Sequence, residues 1–162
     1  MGAVLTDDQG LQILDDDECR RLLGGAWLGR VGLTIGDVPA VFPVNYCFAE
    51  EAIWFLSGSG VKLDAAERGE TVAFEVDEVD DVNREAWSVL AIGRSSIVTD
   101  EAALERSRRI PALAWAPPGR DHLVRIELAF VSGRRISQSL SQGSTNRGGA
   151  HQGSARQGST GE

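Results

Sequence analysis

The chain has 162 residues, 42% of them hydrophobic, and a formal net charge of −8, which is length enough for one buried core and short for two domains. The acidic surface repels a phosphate backbone and argues against nucleic-acid binding as the main task. No apolar run reaches the ~20 residues that span a bilayer, and the opening "MGAVLTDDQGLQILDDDE" lacks the basic start and apolar stretch of a secretory signal, which places the protein in the cytoplasm and away from membranes.

Residues 1–13 read as an N-terminal extension. Asp15 with Glu18 three residues on forms a capping-box start, and Cys19, Leu22 and Leu23 then share one face of a short amphipathic helix that ends at Gly24-Gly25. Residues 30–35, 40–48 and 53–57 are short β-branched and aromatic runs separated by the turns "GDVP" and "AEEA", the pattern of an antiparallel meander. Pro43 inside the second run cannot donate to a ladder, so it marks an edge, a bulge or a place where something other than a strand lies alongside. The stretch "KLDAAERG" supports two helical turns. Residues 71–77 then alternate with Val72, Phe74 and Val76 on one face.

After an acidic loop, residues 87–99 form a long strand in which Gly93 predicts a bend or bulge. Asp100 caps a helix over 101–109, and a proline-bearing loop leads to a final strand or hairpin over 122–136. From residue 137 the chain is nearly free of apolar residues and repeats QGST, QGSA, QGST, so residues 137–162 read as a disordered tail with an inert His151. The tail's net charge of +1 leaves the rest at −9. Six or so strands with short helices between them predict a mainly β, α+β fold, a small antiparallel β-barrel.

Familiar catalytic patterns are absent. Cys19 and Cys47 lack CxxC spacing and read as buried free thiols, and neither acidic run has the glycine and downstream glutamate of a calcium loop. His122 is the one histidine before the tail and has no metal-site or Cys-His partner pattern, and no GxSxG or GxGxxG motif occurs. Any chemistry is therefore a cofactor's. Lys62 stands out as the chain's one lysine, in "FLSGSGVKLDAAERG". Small residues Ser57 to Gly60 leave a strand, and a compact ammonium follows at a helix start, a combination that suits a phosphate, although such a run is more often a plain turn.

The segments "LGRVGLTIGDVPAVFPVNYCF", "IWFLSGSGVKLDAA", "VAFEVDEVD", "WSVLAIGRSSIVTD" and "LVRIELAFVSGRRI" resemble, in this order and spacing, the pyridoxamine 5'-phosphate oxidase-like family of flavin-binding split barrels. The resemblance covers residues 14–136 and is nearest the branch of nitroimidazole-resistance-type and actinobacterial proteins. It implies a six-stranded split β-barrel that forms a homodimer and binds FMN in a groove at the dimer interface. By motif, Pro43, Val44, Asn45 and Tyr46 would lie along the isoalloxazine ring. Ser57, Gly58 and Lys62 would hold the ribityl phosphate with Leu63 beside it, and Trp87 and Ser88 would complete the pocket.

Other readings of the same residues stand beside these. Val44 and Leu63 also read as core, Tyr46 as a barrel aromatic, Trp87 as a core or dimer anchor, and Arg30 as either a phosphate contact or a surface arginine. Asn45 needs a partner for its amide, and flavin edges offer one. Arg134 and Arg135 read as structural contacts at the barrel end. Nitroimidazole-resistance-type relatives carry a histidine where this chain has Leu56, so chemistry through that imidazole is not implied here, nor is vitamin B6 oxidation. The function implied is an FMN-dependent oxidoreductase fed by NADH or NADPH and passing electrons to a small organic substrate or dioxygen, with no side chain nominated as acid or base. Alternatives are a flavin carrier or sensor without turnover, an F420-dependent reductase, which a net charge of −9 disfavours given that cofactor's polyglutamate tail, and a heme protein with His122 as its ligand.

Overall fold

The computed structural model describes residues 4–114 and 119–136; the tail expected at 137–162 lies outside them. Seven strands form one antiparallel sheet: β1 (Gln12–Leu14), β2 (Leu28–Ile35), β3 (Val38–Ala49), β4 (Ala52–Ser57), β5 (Thr71–Asp80), β6 (Glu85–Ile97) and β7 (His122–Ile136). Their order is β1-β7-β4-β3-β2-β5-β6, and β6 pairs back onto β7. Six strands thus close a ring, as expected, and the three-residue β1, too short to announce itself by alternation, lies along β7 beyond β4. Closure gives every strand of the ring a partner on both sides over part of its length, where an open sheet would leave two strands as edges.

Strand period decides what fills the ring. Alternate residues of each strand point inward, and Tyr46, Phe55, Phe74, Val76, Val89 and Ile126 make a core with almost no solvent exposure. Helix α1 (Asp16–Gly25) closes one end with Cys19, Leu22 and Leu23, and α2 (Val61–Glu67) closes the other with Leu63, Ala65 and Ala66. The Glu70 carbonyl after α2 accepts from both the Ser95 N–H and hydroxyl at 2.9 Å, which fixes that end to β6. Helices α3 (Glu101–Ser107) and α4 (Pro111–Ala114) connect β6 to β7. Among the described residues no helix is long and apolar enough to cross a membrane.

One segment differs from its sequence reading, and another resolves an alternative left open there. The acidic stretch after residue 77 is a hairpin and not an open loop: β5 runs on to Asp80, opposite Glu85. The Asp80 carboxylate accepts from the Val82 and Asn83 N–H groups at 3.0 Å and from the Asn83 amide at 2.7 Å, a side-chain-nucleated turn that lets the alternation of "VDEVD" continue. The last segment is one unbroken strand, because β7 is held by β4 and β1 on one edge and by β6 on the other.

The Asp15 half of the capping box forms as read, accepting the Glu18 N–H at 2.8 Å, and the reciprocal half does not. The Glu18 side chain turns elsewhere: Arg21 donates to it at 2.7 Å and Arg135 at 2.6 Å, tying α1 to β7. These two guanidinium bonds draw its pKa from 4.5 down to about 2. A depressed carboxylate stabilises the fold above its ordinary pKa and loses that contribution as pH falls through the lowered value. Glu18→Gln is therefore expected to cost about 1 kcal/mol at neutral pH, after solvent screening, and to flatten the acid-unfolding curve between pH 4.5 and about 2, as urea melts across that window would show.

Candidate functional site

The split in the barrel lies between β3 and β4. From Val38 to Asn45, β3 pairs with β2, and only from Tyr46 to Ala49 does it pair with β4. Beyond Phe55, β4 continues with Leu56 and Ser57 against β7, so the two strands part, and residues 38–45 have one edge with no strand along it. Pro43 sits in this singly paired stretch, where a residue without an N–H is tolerated. Backbone polar groups on such an edge need water or a ligand.

Lys62 spans the opening. Its Nζ lies 4.7 Å from the centre of the Phe42 ring on the parted stretch of β3, and among the described residues it makes no ion pair. Burial first, and then the charge of Arg120, push its pKa below the ordinary 10.5. Ser57 is buried and its hydroxyl donates to the Gly58 carbonyl at 3.0 Å, while Leu63 packs into the core. Helix α2 has only seven residues and no side-chain cap, so it offers no helix-end site, and the cation at its start is the side chain of Lys62.

The β3 residues divide by face. Val44 and Tyr46 are inward and buried; only the backbone of Val44 borders the split, since Tyr46 is paired with Phe55 of β4. The Tyr46 hydroxyl reaches neither water nor the opening: it donates to the Leu23 carbonyl at 2.7 Å, and its ring meets Phe74 edge-on at 4.7 Å. Burial drives the phenol pKa well upward. Tyr46→Phe is expected to cost about 1–3 kcal/mol in a denaturant melt, by stranding the Leu23 carbonyl, and to leave ligand binding unaltered. Pro43 and Asn45 point outward, and the Asn45 amide has no hydrogen-bond partner among the described residues.

On the same outer face Ser88 lies three strands away from β3, across β2 and β5, roughly 15 Å at ordinary strand spacing. Trp87 turns the other way and lines a recess of about 250 Å³ with Ala26, Trp27 and Glu78 near the α1 end. One chain therefore sets Pro43 and Asn45 on the outer face of the parted stretch, holds Lys62 over Phe42 on its other face with the Ser57–Gly58 turn at the end of β4, and leaves Trp87 and Ser88 apart. Arg30, opposite Pro43, bonds to Glu75 at 3.1 Å and to Asp77, so it is committed to carboxylates. Arg134 and Arg135 make contacts at the barrel end as read, to Asp7 at 2.9 Å and Glu18 at 2.6 Å. His122 is exposed at the start of β7, opposite Ser57.

Sequence reasoning missed Arg120. Its signal was weak, a basic residue after a glycine in "PPGRD", and only the register of β7 on β4 brings it to Lys62. A separate cavity of about 290 Å³ between α3, α4 and the outer face of β3 and β4 is lined by Trp54, Leu113 and Leu123 and holds none of the residues marked from sequence for cofactor binding. It also contains Cys47, whose thiol burial pushes up to about 11, an inert form. Among the described residues no cluster of His, Cys, Asp or Glu is placed to hold a metal. Free strand edge, outward amide and a half-buried cation suit a planar, hydrogen-bonding ligand with an anionic arm.

A profile of the family described as Pyridoxamine 5'-phosphate oxidase matches residues 15–135. The chain is 34% identical over 128 residues to the uncharacterized protein Rv0080 of Mycobacterium tuberculosis, covering 76% of this chain and 84% of that one. Among solved structures, the FAD binding protein from Mycobacterium smegmatis is 33% identical with a TM-score of 0.64, over 77% of this chain and 97% of that one. An FAD-binding protein from Mesorhizobium loti has a TM-score of 0.64 at 24% identity, over 78% of this chain and 99% of that one, a likeness of fold alone.

Proposed function

The chain belongs to the pyridoxamine 5'-phosphate oxidase family, and from that premise we propose that it binds a flavin nucleotide in the split and works as an oxidoreductase on a small organic substrate. The observation that carries this reading is the parting of β3 from β4, which leaves the backbone of residues 38–45 open beside Lys62, a cation with no ion pair among the described residues. A flavin ring offers donors and acceptors to a strand edge and to the Asn45 amide, and Lys62 with the Ser57–Gly60 turn would hold the ribityl phosphate. When bound, the flavin supplies hydride transfer at N5, with NADH or NADPH as the electron source. The protein's part is to bind the ring, orient it and keep one face open. Asn45 would fix the ring edge and Lys62 the phosphate.

The proposed assembly is a homodimer. Across the outer face, Val41, Gly32, Ala73, Ile92 and Phe130 lie in one row of paired residues, with Val41 65% and Phe130 53% exposed, and Leu28 and Leu90 lie nearby. An apolar band of this kind on a closed barrel favours a second copy of the same surface. A second copy also answers the separation within one chain, because its Trp87 and Ser88 would complete the partner's pocket.

FMN is the first reading of the cofactor. FAD is the second, favoured by the M. smegmatis FAD binding protein at 33% identity, and it shares the ribityl phosphate. The test is to release the cofactor from purified protein by heat and identify it by chromatography, then to compare NADH and NADPH oxidation by the loaded protein with that by free flavin. Faster turnover than free flavin supports an oxidoreductase. Flavin bound without acceleration leaves a carrier or sensor, and F420 or heme in its place would overturn the flavin reading.

A further inference from the structure

We propose that Arg120 is the second cation of the phosphate site, so that the split selects flavins carrying a phosphate dianion over unphosphorylated riboflavin. This rests on the reading of the split as a flavin site. Two loops meet there: a side chain at Gly58 would come within 2.7 Å of the Gly119 carbonyl oxygen, and Ser57 is paired with His122. Arg120, between Gly119 and His122, is thereby brought to the turn that leads into Lys62. Neither residue makes an ion pair among the described residues, although acids outnumber bases 24 to 16 in this chain and Arg20, Arg30 and Arg135 all find carboxylates.

Two unpaired cations placed close enough to disfavour each other are a costly arrangement in the free protein. Lys62 registers that cost, being depressed by burial and by Arg120. A phosphate monoester, which carries about −1.5 to −2 at pH 7, neutralises both charges at once, and a planar guanidinium beside a compact ammonium offers it fork and point contacts together. Riboflavin would gain nothing from either. Sequence separation hides the pair, since 57 residues lie between two positions that only the pairing of β4 with β7 unites.

The test measures dissociation constants of FMN and riboflavin by flavin fluorescence for the full chain, Arg120→Ala and Arg120→Gln at one fixed salt concentration, with a circular dichroism melt of each variant as a check on folding. Both variants are expected to weaken FMN about tenfold or more while riboflavin changes less than about twofold. FMN affinity of the unaltered chain should also fall as pH drops through the phosphate's second ionisation near ~6, and this slope should flatten in the variants. Equal loss for both flavins, or unchanged FMN affinity in a folded variant, overturns the proposal. If the unaltered chain binds neither flavin, the flavin reading fails. Inorganic pyrophosphate then decides: stabilisation of the unaltered chain and not of Arg120→Ala supports the cation pair, and no stabilisation overturns it.

Discussion

Lys62→Ala is expected to raise the flavin dissociation constant about 10- to 150-fold, the equivalent of ~1.5–3 kcal/mol for a hydrogen bond to a charged group. The ammonium is half-buried over the Phe42 ring and has no carboxylate partner among the described residues. In the unliganded protein its charge is held at a cost, seen in a pKa lowered by burial and Arg120. A lysine with a depressed folded pKa binds fewer protons than the unfolded chain between that value and 10.5, so stability rises with pH across that window. Lys62→Ala should thus weaken binding without lowering the melting temperature of the unliganded protein, and it should erase that alkaline gain. Flavin fluorescence titration reads the first effect and melts at several pH values the second. Loss of stability together with unchanged affinity would make Lys62 a packing residue.

Gly93→Ala is expected to destabilise the barrel by about 3 kcal/mol or more, a large share of the ~5–15 kcal/mol that holds a domain together. The pairing of β6 with β7 shifts register between Ile92 and Gly93. A Cβ at Gly93 would meet the Ile126 Cγ2 at 2.8 Å and the Glu127 carbonyl carbon at 2.9 Å, with the Glu127 oxygen closer still. Overpacking costs ~1–3 kcal/mol where a side chain can turn away, but here backbone in the seam that closes the ring has to yield. Gly25→Ala is the matched control, because nothing lies within 4 Å of its added carbon. Urea melts should show the first variant far below the parent and the second within about 1 kcal/mol of it.

Much of this fold was legible because its signals are local. The Asp15 and Asp100 caps, the alternation of Val72, Phe74 and Val76, and the irregularity at Gly93 follow from single-residue chemistry and strand period. β1 escaped because three residues carry no period, and the β5–β6 hairpin because solvated acids at alternate positions look like a loop until Asp80 is seen to nucleate the turn. The site was legible where a residue type is anomalous for its setting: Pro43 in a strand, Asn45 among apolar neighbours, one lysine among arginines. It was illegible where the answer depends on which face is inward. Tyr46 looked as suited to a ligand as to the core until the Leu23 carbonyl was found within reach, and Arg120 carried no motif. Trp87 and Ser88 belong with Lys62 by motif and apart from it within one chain, a separation that a second copy would resolve.

On the proposed function, the split between β3 and β4 holds a flavin by its phosphate. The most direct measurement is the visible absorption spectrum of FMN titrated with the purified full chain. A saturable shift of the flavin band, kept in Tyr46→Phe and displaced to much higher protein concentration in Lys62→Ala, is the predicted result. A spectrum that equals free FMN plus protein at every point, with FAD behaving the same, would contradict it.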